Sequence, residues 1–132
     1  MNYYDNPDFL FSFEQAAMPT LAPAPGSTRL WEMEEDNSYL KYLYPQITRQ
    51  ISEFVEEQCD QMEYEGSLMF DVYPDKTALQ ITAAGIERDF RNKYPDAYPE
   101  EGTLLRDMIE VVYFHEIMYR RSRYRNHKRL YL

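Results

Sequence analysis

Cysteine occurs once in these 132 residues, glycine four times, histidine twice and tryptophan once, and each scarcity closes a class of chemistry. Cys59 has no second cysteine to pair with, so there is neither a disulfide framework nor a thiolate pair for a metal. It reads as a small core residue. Gly26, Gly66, Gly85 and Gly102 are scattered and never spaced as a phosphate-cradling loop. His115-Glu116-Ile117-Met118-Tyr119 begins like a zinc-protease helix, but Tyr119 stands where the second histidine would be, which excludes that motif. No Glu-x-x-His occurs, so a di-metal carboxylate site is excluded too. His115, on a largely apolar stretch, reads as a satisfied core or boundary histidine. No apolar run approaches the roughly 20 residues that span a bilayer. Met1-Asn2-Tyr3-Tyr4-Asp5 lacks the basic start and apolar stretch of a signal peptide, so a cytoplasmic protein is expected. No cofactor, metal or catalytic residue is expected, and an enzyme is the least favoured class.

Aromatic residues and charge are what the chain has in quantity. Thirteen Tyr, seven Phe and seven Met replace much of the usual aliphatic complement. Tyrosine buries a large ring yet keeps a hydroxyl that wants a partner, so it suits small cores and contact surfaces alike. The net charge of −9 hides a strong polarity. Residues 1–119 hold all twenty-three acids and eight bases, while six bases follow in the last thirteen positions. Arg120, Arg121, Arg123, Arg125, Lys128 and Arg129, with Tyr124 among them, form an anion-binding candidate. The effect of cations on a helix dipole fades within the last turn, and six charges exceed it. Two readings remain open: the basic end clasps the protein's own acidic face, or it hooks an external anion. Six phosphate contacts would give a salt slope of about −4 to −5.

Residues 1–35 read as a flexible, proline-containing arm, because Pro19, Pro23 and Pro25 with Gly26-Ser27-Thr28 offer few hydrogen-bond donors and little to bury. Phe9, Leu10, Phe11 and Phe13 within it form a docking-motif candidate, or else fold back on the domain. Residues 36–122 read as one helical domain and 123–132 as a basic tail. Three principal helices are expected, over 38–64, 75–94 and 103–122. In the first, Leu40, Tyr44, Ile47, Ile51, Phe54, Val55 and Met62 recur at spacings of three and four, with Pro45 as its start or a kink. Glu53, Glu56, Glu57, Asp60 and Glu63 share the other side, an acidic face expected to be solvated. Ser67–Tyr73 is a connector too apolar to be left in water. The second helix starts at Asp75 or Thr77 and presents Leu79, Ala83, Ile86, Phe90 and Tyr94. Ala84 and Gly85 would allow a close helix approach. Apolar residues cover well over half the third helix, so it is central, or its second face is an oligomer or partner surface.

Val55-Glu56-Glu57-Gln58-Cys59-Asp60-Gln61-Met62-Glu63-Tyr64-Glu65-Gly66-Ser67-Leu68-Met69-Phe70-Asp71-Val72-Tyr73-Pro74-Asp75-Lys76 resembles a segment of small uncharacterised proteins from anaerobic Clostridia-type bacteria. The resemblance extends over about residues 39–132, through an Ile-, Glu- and Tyr-rich third helical segment into an Arg-rich end. It implies a bacterial cytoplasmic protein and carries no activity, cofactor or binding residue. Taken together, the residues favour an all-α, non-enzymatic protein–protein interaction module. The alternatives are a nucleic-acid- or ribosome-associated protein binding through the Arg-rich end, and an acidic inhibitor that mimics DNA. A homo-oligomer would form through the third helix.

Overall fold

Proline and glycine set most of the helix boundaries. The structure is a computed structural model that describes residues 25–98 and 102–131, with side chains described over 28–98 and 102–128. Helix α1 runs Pro25–Leu43, α2 Gln46–Met62, α3 Lys76–Lys93 and α4 Leu104–Tyr131, with a 3₁₀ turn at Leu68–Phe70 before α3. Among the described residues there is no strand. Pro25 opens α1 and Pro45 immediately precedes α2 (φ −57°), where a missing N–H costs nothing and the fixed φ suits helix entry. Gly66 and Gly102 have φ of +89° and +125°, values that side chains with a Cβ rarely adopt. The first turns the chain after α2, and the second turns it into α4. Asp75 caps α3, its carboxylate accepting from the Ala78 N–H at 2.9 Å.

The all-α class holds, but with four principal helices among the described residues in place of three. The run expected over 38–64 is two helices: of the two readings of Pro45 the start holds and the kink does not, since the chain breaks at residues 44–45 and α2 begins directly after. The expected arm ends earlier, since residues 25–35 belong to α1. Gly26-Ser27-Thr28 are weak helix formers, but α1 packs against α4 and tertiary burial overrides local preference. The expected tail is also helix, as α4 continues to Tyr131. Residues 122–131 contain no glycine or proline to stop it, and Arg and Lys are good helix formers. Phe9, Leu10, Phe11 and Phe13 lie outside the described residues.

α4 is the central element, packed against α1, α2, α3 and the 3₁₀ turn. Its core face is Leu105, Ile109, Tyr113 and Ile117, all fully buried. Against it lie Ile51, Val55 and Cys59 of α2, and Leu79, Ala83, Ile86 and Phe90 of α3. The connector crosses as expected for an apolar segment: Met69 is fully buried and Leu68 and Phe70 pack partly against the core. Phe54, Phe90 and Tyr94 form an aromatic group at the α2–α3 contact, with centroids 5.4 to 6.3 Å apart. Gly85 serves no close helix approach. A Cβ there would meet only the Arg88 guanidinium, at an ordinary 3.8 Å.

Two stability predictions follow from this core. Gly85→Ala gains helix propensity without a clash and should raise stability by about 0.5–1 kcal/mol in urea unfolding. Burial pushes the Cys59 thiol up to about 12 and the Tyr113 phenol up to about 12. The unfolded chain releases both protons at ordinary values of about 8.5–10, so above that range it binds fewer protons than the folded chain. Stability is therefore full at neutral pH and falls as pH rises toward 12, by up to about 1.4 kcal/mol per pH unit for each group. Urea unfolding between about pH 7 and pH 11 checks this, and Cys59→Ala should remove the cysteine's share of the slope.

Candidate functional site

The basic residues at the chain's end are not equivalent once α4 is in place. Arg120 is 6% exposed and faces α2. Its Nε donates to Glu116 Oε1 at 3.1 Å, and one terminal nitrogen donates to Asp60 Oδ1 at 2.6 Å and Glu63 Oε2 at 3.3 Å. Arg123 donates to the other Glu63 oxygen at 2.6 Å. Lys41 of α1 completes the network, paired with Glu56 and lying 3.5 Å from Glu116 Oε2. Burial works against the charge on Arg120, but Asp60 and Glu116 outweigh it and hold its pKa above the usual guanidinium value. Arg121 points another way and donates to the backbone carbonyls of Met69, Asp71 and Val72. It clamps the connector onto α4, and burial together with nearby Arg125 lowers its pKa.

The acidic face is correspondingly engaged. Glu53 accepts from Lys93 at 3.2 Å and from the Tyr94 hydroxyl at 3.1 Å. Glu56, Asp60 and Glu63 take Lys41, Arg120 and Arg123 as above. Glu57 alone of the five has no ion-pair or hydrogen-bond partner among the described residues. Four of five carboxylates thus have cations beside them, which weakens the phosphate-like pattern a DNA mimic needs. Of the seven anion-binding candidates, Arg120, Arg121 and Arg123 are bonded inward. Tyr124 packs on Phe70 at a centroid distance of 4.5 Å, with Lys128 5.7 Å from its ring centroid. Arg125 and Lys128 are exposed, and the Arg129 side chain lies outside the described residues. Among those residues no group of three or more His, Cys, Asp or Glu could hold a metal ion. No helix among them is long and apolar enough to cross a membrane.

A different surface emerges on the far side of α4. Leu104, Val111 and Met118 are 57%, 70% and 49% exposed. Their spacing of seven stacks them in one line along the helix, and Met108 and His115 fill the intervening positions of the same face. Beside this line α4 and the corner between α1 and α2 leave a furrow of about 630 Å³, with Leu40, Tyr44 and Thr48 on one side and Leu104, Asp107, Met108, Val111 and His115 on the other. It continues into a second hollow of about 350 Å³ that shares Leu40 and His115 and reaches Met33, Met118 and Ser122. From Leu104 to Ser122 the furrow is about 27 Å long. Single exposed apolar residues are ordinary, but a line of them next to an apolar furrow is not.

Of the two places expected for His115, the core is excluded: it is exposed and lines the furrow. The seven-residue repeat was visible in the sequence but hidden by the apolar residues around it. Leu40 and Tyr44 were legible as one face of a helix, but not as the wall of a groove. Compared with protein-family models, with curated proteins and with solved structures, the chain shows no match.

Arg120 supplies the test of the ionic network. Arg120→Ala would leave Glu116 buried with only Lys41 nearby, and should cost about 3 kcal/mol, the low end for a broken buried pair because Asp60 is largely exposed. Arg125→Ala, on an exposed residue, should change stability by less than about 0.5 kcal/mol. Thermal and urea unfolding of the two variants checks both values.

Proposed function

We propose that this chain is a non-enzymatic protein-interaction module whose contact surface is the outer face of α4 with the α1–α4 furrow. The observation that carries this reading is the exposed line of Leu104, Val111 and Met118 beside an apolar trough. An amphipathic helix laid in such a trough would remove those side chains from water and place its own apolar face against Leu40, Tyr44 and Met108. That is the helix-in-groove mode of recognition. The face is low in charge at its centre, as the middle of a protein contact requires. Binding through the Arg-rich end has less to draw on, since three of its arginines already satisfy groups of the protein itself.

A photo-crosslinking amino acid placed at position 111, and separately at position 81, provides the test. Val111 and Ile81 are equally exposed, at 70% each, but Ile81 lies on α3 outside the furrow. Irradiation in cells should give a discrete protein adduct from position 111, identified by mass spectrometry, and none of comparable yield from position 81. Equal or absent adducts at both positions would remove the basis for the reading.

A further inference from the structure

We propose that the occupant of this face is a second copy of the same chain, paired through α4 in antiparallel orientation about a two-fold axis at Val111. This rests on the reading of the α4 face as an interaction surface and specifies its partner. The face is arranged to meet its own copy. Positions 104, 107, 111, 115 and 118 are symmetric about 111. Reversing a second α4 across that point sets Leu104 against the partner copy's Met118, and Val111 against its own counterpart. Asp107 then meets the partner copy's His115. A two-fold contact requires this self-complementarity, because each residue must accept its opposite in both directions.

The polar pair decides the orientation. Asp107 lies in the first turn of α4, with an exposed carboxylate at most weakly engaged by Thr103 at 3.4 Å. His115 is exposed two turns later. In the antiparallel arrangement a carboxylate acceptor faces an imidazole donor twice, once on either side of the axis. In a parallel arrangement the two aspartates would face each other and so would the two histidines, leaving like groups opposed at the rim. The remaining residues of the line are apolar and meet apolar partners in the antiparallel case.

Area sets the strength. The stretch shared about the axis, Leu104 to Met118, is about 21 Å long and roughly 20 Å across two helices; it covers on the order of 400 Å² per copy, so a pair buries about 800 Å², in the range of weak, transient contacts. The dimer is accordingly concentration-dependent. Each chain carries −9, so association is measured near physiological salt, where charges beyond about 8 Å are screened.

The experiment is sedimentation equilibrium of the full chain over about 1 µM to about 1 mM, a span that brackets micromolar affinity. A monomer–dimer transition is expected. Val111→Glu sets two carboxylates against each other at the axis and should weaken the dimer by about 100-fold or more. Circular dichroism should show that this variant remains helical, since Val111 is exposed in the single chain. Cysteine substitutions fix the direction, with copper–phenanthroline as oxidant and Cys59 buried and unavailable. Val111→Cys should cross-link to itself, and the Leu104→Cys, Met118→Cys double variant should form linked dimers. Leu104→Cys alone should not.

A dimer that cross-links through Leu104→Cys alone overturns the antiparallel arrangement, and a dimer indifferent to Val111→Glu overturns the face. A chain that stays monomeric throughout, while the photo-crosslinker at 111 still captures another protein, overturns the second copy but leaves the interaction surface standing. Capture of residues 1–24 of its own chain overturns both, because the face is then covered from within. A monomer with no adduct at 111 overturns both.

Discussion

Arg120 fixes how α4 is rotated, and that rotation decides what the rest of the molecule shows to water. Its guanidinium reaches two carboxylates of α2 and one of its own helix, and the last of these meets Lys41 of α1. Three helices are therefore tied at one charged node. A buried ion network of this kind adds little net stability compared with an apolar substitute, because desolvation offsets most of the attraction. Its effect lies in register. Apolar contacts tolerate small rotations and slides, whereas the hydrogen bonds from Arg120 to Asp60 and Glu63 do not. With Arg120 turned toward α2, residues half a turn away along α4 must point outward. Leu104, Val111 and Met118 are those residues.

The polarity of charge along the sequence follows from the same constraint. A helix carrying Glu53, Glu56, Glu57, Asp60 and Glu63 at close spacing repels itself unless cations from other elements come to it. Lys41, Lys93, Arg120 and Arg123 supply them, from α1, α3 and α4. Two members of the basic cluster near the chain's end, Arg120 and Arg123, are thus the counterparts of the α2 stripe, while Arg125 and Lys128 stay exposed. A third has a local role. Arg121 donates to three carbonyls of the connector, one of them that of the buried Met69.

Much of the core was legible in the sequence, and the site was not. Ile51, Val55, Leu79, Ala83, Ile86 and Phe90 stand at helical spacing within segments bounded by proline and glycine, and these segments fold as the period says. α1 was missed over residues 25–35 because its apolar residues are not gathered on one stripe, and Gly26-Ser27-Thr28 look like linker. Its reason for being helical is tertiary: it docks on α4, and no local window contains that fact. α4 posed the opposite problem. It is apolar on so many sides that periodicity alone could not say which side faces the core. Tertiary contacts decide that, and the charged node in particular fixes it. The furrow needs both helices at once, so neither segment announces it, and the sequence leaves His115 open between the core and its boundary for the same reason.

The two faces of α4 are linked through electrostatics as well as rotation. Two chains that each carry −9 repel as they approach, and the repulsion is least where the carboxylates are farthest from the contact. The α2 stripe lies against the side of α4 that holds Arg120, and the apolar line lies on the side away from it. Joining two copies through the outer face of α4 keeps both stripes behind their own cores, at a distance where salt screens them. Joining them through α2 would set Glu57 and its neighbours against their counterparts and compete with the cations that already hold α4 in place. The arrangement that orients α4 inside one chain is thus also the one that leaves its outer face less repulsive to a second copy than the α2 stripe is.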